Sequence, residues 1–282
     1  MRKYLSLIKF SHTIFAIPFA FIGFFLATQN YAFEWVTLFY VVLCMIFARS
    51  AAMAFNRYID RDIDTANPRT TKVREIPNGS IKAKSALIFV LLNCFLFIGT
   101  TYLINSLCLA LSPIALLIIL GYSYTKRFTS LCHLILGLGL ALAPIGAYLA
   151  VSDTFDLLPV LFSVVVLFWV SGFDIIYSLQ DEEFDKTQKL HSIPVLLGKK
   201  NALNLAKLLH FVTIILLSQI GNYPEFGKFY WIGFSIFSAL LIYQHTLVKH
   251  NDLSKVNLAF FTTNGIASII FGTFVIADIL LK

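Results

Sequence analysis

Two short segments hold nine of the fifteen carboxylates of this 282-residue chain: Asp60, Asp62, Asp64 and Glu75 in one, and Asp174, Asp181, Glu182, Glu183 and Asp185 in the other. In the first, Asn56, Asp60 and Asp64 recur every fourth residue, so on a helix they drift by about 40° per step and line one stripe, with Asp62 on the other side. In the second, "DIIYSLQDEEFDKTQKLHSIP", Asp174, Asp181 and Asp185 fall at i, i+7 and i+11 and share a face, with Tyr177 and Ser178 between them. Glu182 and Glu183 point elsewhere and read as solvated charges. Two acidic stripes set against each other repel unless cations lie between them. Oxygen ligands without His or Cys favour a hard ion, and Mg²⁺ is usually held by one or two carboxylates, several waters and substrate phosphates. The pattern predicts a Mg²⁺-dependent diphosphate site. The bland alternative is that each cluster solvates a helix end or pairs with nearby arginines.

The basic residues suit the same chemistry. Arg69, Lys72 and Arg74 follow the first cluster within one loop, and Lys126 with Arg127 follows a later apolar run in "GYSYTKRFTS". Guanidinium groups bind phosphate through two parallel hydrogen bonds, whereas an ammonium acts as a point charge. Arg49 stands apart because it lies inside an apolar run, seven residues before Asn56 and on the same helical face. An arginine within a membrane span is expected to have a function or a buried partner. "IPNGSIKAK" supplies a Pro-Asn-Gly turn that can fold the loop back.

These residues must be positioned by membrane helices. Hydrophobic residues make up 58% of the chain and charged ones 13%, and the mean hydropathy is +0.80, well outside the range of soluble domains. Apolar runs long enough to cross a hydrocarbon core of about 30 Å recur at 10–29, 36–56, 85–104, 107–124, 131–151, 157–179, 203–220, 229–248 and 257–280. The expectation is an all-α polytopic membrane protein of nine transmembrane helices. The first run is too long for a cleavable signal, and Pro18 predicts a kink in it. Lys and Arg concentrate at the N-terminus and in alternate loops, which places the N-terminus in the cytoplasm. The +7 charge is then a topology signal, and no nucleic-acid partner is expected. Cys44, Cys94, Cys108 and Cys132 have no paired spacing, so neither a disulfide nor a zinc site is predicted. His12 and His133 read as satisfied polar groups within helices.

Taken together, "ARSAAMAFNRYIDRDIDTANPRT" and "DIIYSLQDEEFDKTQKLHSIP" resemble the two Asp-rich motifs of the UbiA superfamily of intramembrane prenyltransferases, nearest the branch that prenylates 4-hydroxybenzoate. The likeness runs over almost the whole chain as one domain, 1–282, with the motifs in loops 57–84 and 180–201. "YSYTKRFT" resembles the substrate-contacting Lys-Arg segment of the family. Arg57 departs from the pattern, since many members have Asp after the Asn.

The resemblance implies an aromatic prenyltransferase of quinone biosynthesis in the inner, cytoplasmic membrane, with its site opening to the cytoplasm. Mg²⁺ would be held by Asp60, Asp64, Asp181 and Asp185, with Asn56 a further first-motif ligand, around the head of a polyprenyl diphosphate whose tail lies in the bilayer. Tyr177 would stabilise an allylic cation, Arg127 or Arg49 would anchor an acceptor carboxylate, and Asp174 would orient the acceptor or act as base. A dihydroxynaphthoate of a menaquinone route is the alternative acceptor. Two other classes compete, an ion channel or Mg²⁺ transporter and a non-catalytic quinone-binding scaffold. A channel would need polar residues continuing through the bilayer, and the third, fifth and ninth runs carry no acidic residue in their middles.

Overall fold

The computed structural model describes residues 2–7 and 15–281. His12 lies outside the described residues. Every regular element among them is helical. A short α1 (Arg2–Leu7) is followed by α2 (Ile17–Ala27), α3 (Trp35–Ile59), a short α4 (Arg61–Ala66), α5 (Ala83–Ile104), α6 (Ser106–Thr125) and α7 (Cys132–Ser152). The second half holds α8 (Leu157–Ser178), a 3₁₀ turn (Leu179–Asp181), a short α9 (Glu182–Thr187), α10 (Ile193–Ile220), α11 (Lys228–Leu247), a π-helical turn (Leu258–Thr263) and α12 (Asn264–Leu280).

Seven helices are long and apolar enough to cross a membrane. Of the expected spans, the first is described only from Ile17, as an 11-residue helix, and 229–248 falls on α11, a 20-residue helix outside those seven. Large apolar side chains such as Leu91, Phe95, Tyr102 and Leu117 are exposed, which suits contact with lipid rather than water. The chain is a multi-pass membrane protein. All four cysteines are free.

The main pairings are α7 with α8, α3 with α5, α10 with α8, α2 with α7 and α11 with α12. Small residues permit the closest of them. A Cβ at Gly137 of α7 would sit 2.5 Å from both the Leu167 carbonyl oxygen and Ser171 Oγ of α8, so any larger residue would force the pair apart. An aromatic core of Phe19, Phe162, Trp169, Phe237 and Phe271 joins α2, α8, α11 and α12. Inside it Trp169 Nε1 donates to Asn264 Oδ1 at 3.0 Å, satisfying a polar group that would be costly to leave unpaired.

Two backbone details differ from or refine the expectation. Pro18 occupies the first turn of α2, where its missing N–H deprives no carbonyl of a bond, so it does not kink the described helix. Gly79 has φ +76, the left-handed conformation that the Pro-Asn-Gly turn requires, and Asn78 Oδ1 accepts from Ser80 N at 2.9 Å.

Candidate active site

α3 carries the first stripe beyond its own end. Asp60 has φ −88 and ψ 5, which breaks the helix, yet Asp60 N donates to Asn56 O at 2.9 Å and Asp64 N to Asp60 O at 2.7 Å. The helical spacing therefore survives into α4. Asn56 Nδ2 donates to Asp60 Oδ2 at 3.0 Å, while Asp62 points away with its side chain 87% exposed.

Cations from distant segments close on these carboxylates. Lys126 Nζ donates to Asp60 Oδ2 at 2.6 Å and Arg127 Nη1 to Asp60 Oδ1 at 3.2 Å. Arg127 Nη2 also reaches Ile59 O at 2.9 Å, which fixes the end of α6 against the end of α3. Arg74 grips both oxygens of buried Asp64, and Thr70 Oγ1 donates to Asp64 O at 2.9 Å. Arg57 is buried, and its Nη1 donates to Asn56 Oδ1 at 3.0 Å.

The second segment meets the first across the bundle. Arg69 pairs with Asp181 through two nitrogens, Nε at 3.0 Å from Oδ1 and Nη2 on Oδ2, and its Nη1 donates to Tyr177 Oη at 3.2 Å. Burial opposes the charge on Arg69, but the bonds to Asp181 and Tyr177 outweigh it and hold its pKa above the usual arginine value. Asn67 Nδ2 adds a bond to Asp181 Oδ1 at 3.2 Å. Asp185 lies in the field of Asp181, Lys126 and His133, with Ser192 hydrogen bonded to it. The loop between α9 and α10 is tied to the end of α6 by His191 N donating to Lys126 O at 2.7 Å.

Asp174 lies deeper, and its partner is a residue to which the sequence assigned no site role. His133 Nδ1 is 2.7 Å from Asp174 Oδ2, and His133 Nε2 faces the backbone N–H of Ile193 at 3.3 Å. A nitrogen that accepts carries no proton, so the ring proton is on Nδ1 and is donated to Asp174. His133 is thus satisfied, as expected, but by a candidate site carboxylate; a single histidine opening an apolar run gave no sign of that partner.

Two other residues fall differently from expectation. Glu182 is not a solvated charge. It is buried where α9 packs against α10, and it pairs with Lys186 at 2.5 Å and Lys199 at 3.8 Å. Lys72 is exposed, and the cluster carboxylates pair with Arg69, Arg74, Lys126 and Arg127 rather than with its ammonium. Glu183 is 90% exposed, as the pattern implied.

An apolar cavity of about 340 Å³ lies between α3, α5, α6 and α7, lined by residues that include Cys44, Ile119 and Ala147. Arg49, Met53 and Tyr122 are part of its wall. Met53 and Tyr122 stand about one helical turn from Asn56 and Lys126 respectively, which brings the cavity to the carboxylates. Arg49 Nε is buried there without a hydrogen-bond partner.

The oxygen donors suit a hard divalent ion. Among the described residues no three His, Cys, Asp or Glu side chains form a group that could hold a metal by themselves. An ion here would need ligands from a bound molecule, which is the usual situation of Mg²⁺ on a substrate phosphate.

A model of the UbiA prenyltransferase family matches residues 16–266, so the chain belongs to that family. It is therefore an enzyme, a membrane prenyltransferase, which agrees with the aromatic prenyltransferase expected from the two motifs. The 4-hydroxybenzoate octaprenyltransferase of Aliivibrio fischeri is 29% identical over 240 residues, 84% of this chain and 82% of the relative. The enzyme of the same name from Vesicomyosocius okutanii is 31% identical over 251 residues, 88% and 89% of the two chains. Among solved structures, the apo UbiA homolog from Aeropyrum pernix K1 has a TM-score of 0.86 at 31% identity, covering 95% of this chain and 98% of that one. A homolog from Archaeoglobus fulgidus bound to DMAPP and Mg²⁺ has a TM-score of 0.76 at 21% identity over 99% of this chain and 100% of that one, a likeness of fold.

Proposed function

We propose that the protein transfers a polyprenyl group from polyprenyl diphosphate to the ring of 4-hydroxybenzoate or a closely similar aromatic acid, with Mg²⁺ as cofactor. One observation carries the reading: two carboxylate segments far apart in sequence meet, through Asn67 and Arg69 on Asp181 and Lys126 on Asp60, at the end of an apolar cavity. The names of the relatives and the ligands of the Archaeoglobus homolog support it.

On this reading Asn56, Asp60, Asp64, Asp181 and Asp185 are the metal-binding groups. A divalent ion, when bound, supplies positive charge to the diphosphate oxygens. Arg69 exchanges Asp181 for phosphate oxygens, Arg74, Lys126 and Arg127 add positive charge around the diphosphate from their places on Asp64 and Asp60, and exposed Lys72 adds charge at the mouth of the site. The isoprenoid tail occupies the apolar cavity, which excludes water from the reacting carbon. The C–O bond breaks to give diphosphate and an allylic cation. Tyr177, whose ring lies 5.5 Å from the Arg69 guanidinium carbon, faces that cation.

A ring carbon beside the acceptor hydroxyl then bonds to the allylic carbon, and the displaced ring proton leaves to Asp174, held in place by His133. Arg49, with its unpartnered buried Nε, takes the acceptor carboxylate, with Arg127 as the nearer alternative. The whole chain serves as one transferase domain in the inner, cytoplasmic membrane, the N-terminus and the site on the cytoplasmic side and nine helices crossing.

The test is prenyl transfer by purified protein with radiolabelled polyprenyl diphosphate, offering 4-hydroxybenzoate and a dihydroxynaphthoate in parallel, with Mg²⁺ or EDTA. Metal-dependent product on 4-hydroxybenzoate is expected. Product only on the naphthoate would reassign the acceptor, and diphosphate binding without transfer to either would overturn the reaction.

A further inference from the structure

Away from the acidic segments, α10 carries Lys200, Asn204 and Lys207 at i, i+4 and i+7, one stripe of the helix. With His245 near the end of α11, and Lys249 and His250 just after it, they line an open cavity of about 700 Å³ to which no acidic side chain contributes. The nearest carboxylate in sequence, Asp252, closes the turn on Lys249 by two backbone hydrogen bonds of 3.1 Å, and its Oδ1 accepts from Ser254 N at 3.0 Å. Lys199, one residue away, lies 3.8 Å from Glu182 and 3.6 Å from Glu183. Among the described residues no carboxylate lies within 4.0 Å of the ammonium groups of Lys200, Lys207 or Lys249. The fold neutralises the neighbouring cation, sets Asp252 in the field of Lys249 without a contact ion pair, and leaves Lys200 and Lys207 without a carboxylate partner around the cavity.

Depth and hydrogen bonding narrow the ligand. Lys207 lies four residues, about 6 Å, into the apolar run 203–220, near enough to its end for a lysine side chain to reach the level of lipid headgroups. His210 Nε2 is 3.1 Å from Trp169 O, which can only accept, so its proton is on Nε2. His210 Nδ1, 2.9 Å from His245 Nε2, must then accept from His245. That leaves His245 Nδ1 as a lone pair, and it is buried with no hydrogen-bond partner. The cavity thus offers three lysines, with a histidine in its wall whose outer lone pair lies buried behind them.

We propose that this cavity binds the headgroup of an anionic phospholipid, its phosphate on Lys200, Lys207 and Lys249. The test uses the full chain in neutral detergent, titrated with short-chain phosphatidylglycerol, phosphatidylcholine or inorganic phosphate. Wild type is expected to bind phosphatidylglycerol at least about tenfold more tightly than phosphatidylcholine. The K200Q/K207Q/K249Q variant, altered only at exposed positions, should bind the two lipids equally while unfolding at the wild-type temperature. K82Q/K84Q/K228Q, which removes the same charge elsewhere, should keep the preference. Equal loss in that control, no preference in wild type, or displacement of the lipid by inorganic phosphate at equal affinity would each overturn the proposal.

Discussion

The two carboxylate segments are built differently. In the first, Asp60 and Asp64 have side chains only 2% and 4% exposed, closed by Lys126, Arg127 and Arg74. In the second, Asp181 and Asp174 are each 20% exposed, held by Arg69 and His133 respectively. A buried carboxylate closed by cations is part of the packing, because its removal strands its partners. A more exposed one held by a single partner can exchange that partner for a ligand at little structural cost. The first segment therefore anchors the site as well as lining it, and the second is its adjustable side.

Asp60→Ala should break the anchored side most severely. It leaves Lys126 and Arg127 uncompensated, and since those side chains are 28% and 32% exposed, a loss of about 3 kcal/mol is expected, the low end for a broken buried pair. Thermal unfolding in detergent should show it, together with loss of transfer. Asp181→Asn should separate chemistry from stability. Transfer is expected to fall about 100-fold or more, with stability changed by less than about 1 kcal/mol because Arg69 is 35% exposed. A large drop in unfolding temperature for this variant would erase the contrast between the two sides.

Arg49→Gln should raise the acceptor KM about tenfold or more and leave diphosphate affinity near wild type, since a guanidinium whose buried Nε lacks a partner is suited to a carboxylate. Equal losses for both substrates would place Arg49 with the diphosphate instead. The smallest effect belongs to Lys72→Gln, expected to change transfer by less than about twofold at physiological salt, where exposed charges are screened.

How far the sequence reached follows the distance over which each interaction acts. The Asn56, Asp60 and Asp64 stripe was legible because four-residue spacing is a property of the local helix, and the backbone bonds through Asp60 preserve it. Membrane helices were legible from composition, and Arg49 from being a charge in an apolar run. The partners were not. Asp60 is neutralised by residues 66 and 67 positions away, and Asp181 by one 112 positions away, pairings that exist only once α3, α6 and α8 have packed. The burial of Glu182 and the Asp174–His133 contact were hidden for the same reason. The place of Pro18 in the first turn of the described helix was not legible from the apolar run, because where a helix begins depends on its tertiary surroundings as well as its own sequence.

The most direct measurement is calorimetric binding of a non-hydrolysable polyprenyl diphosphate analogue to wild type and Asp181→Asn, in Mg²⁺ and in EDTA. Binding that requires Mg²⁺ in wild type, and is weakened at least about tenfold by Asp181→Asn, is the result expected of a carboxylate cradle joined through a metal. Equal affinity in EDTA, or no effect of Asp181→Asn, would contradict it and leave the arginines and lysines as the whole of the diphosphate site.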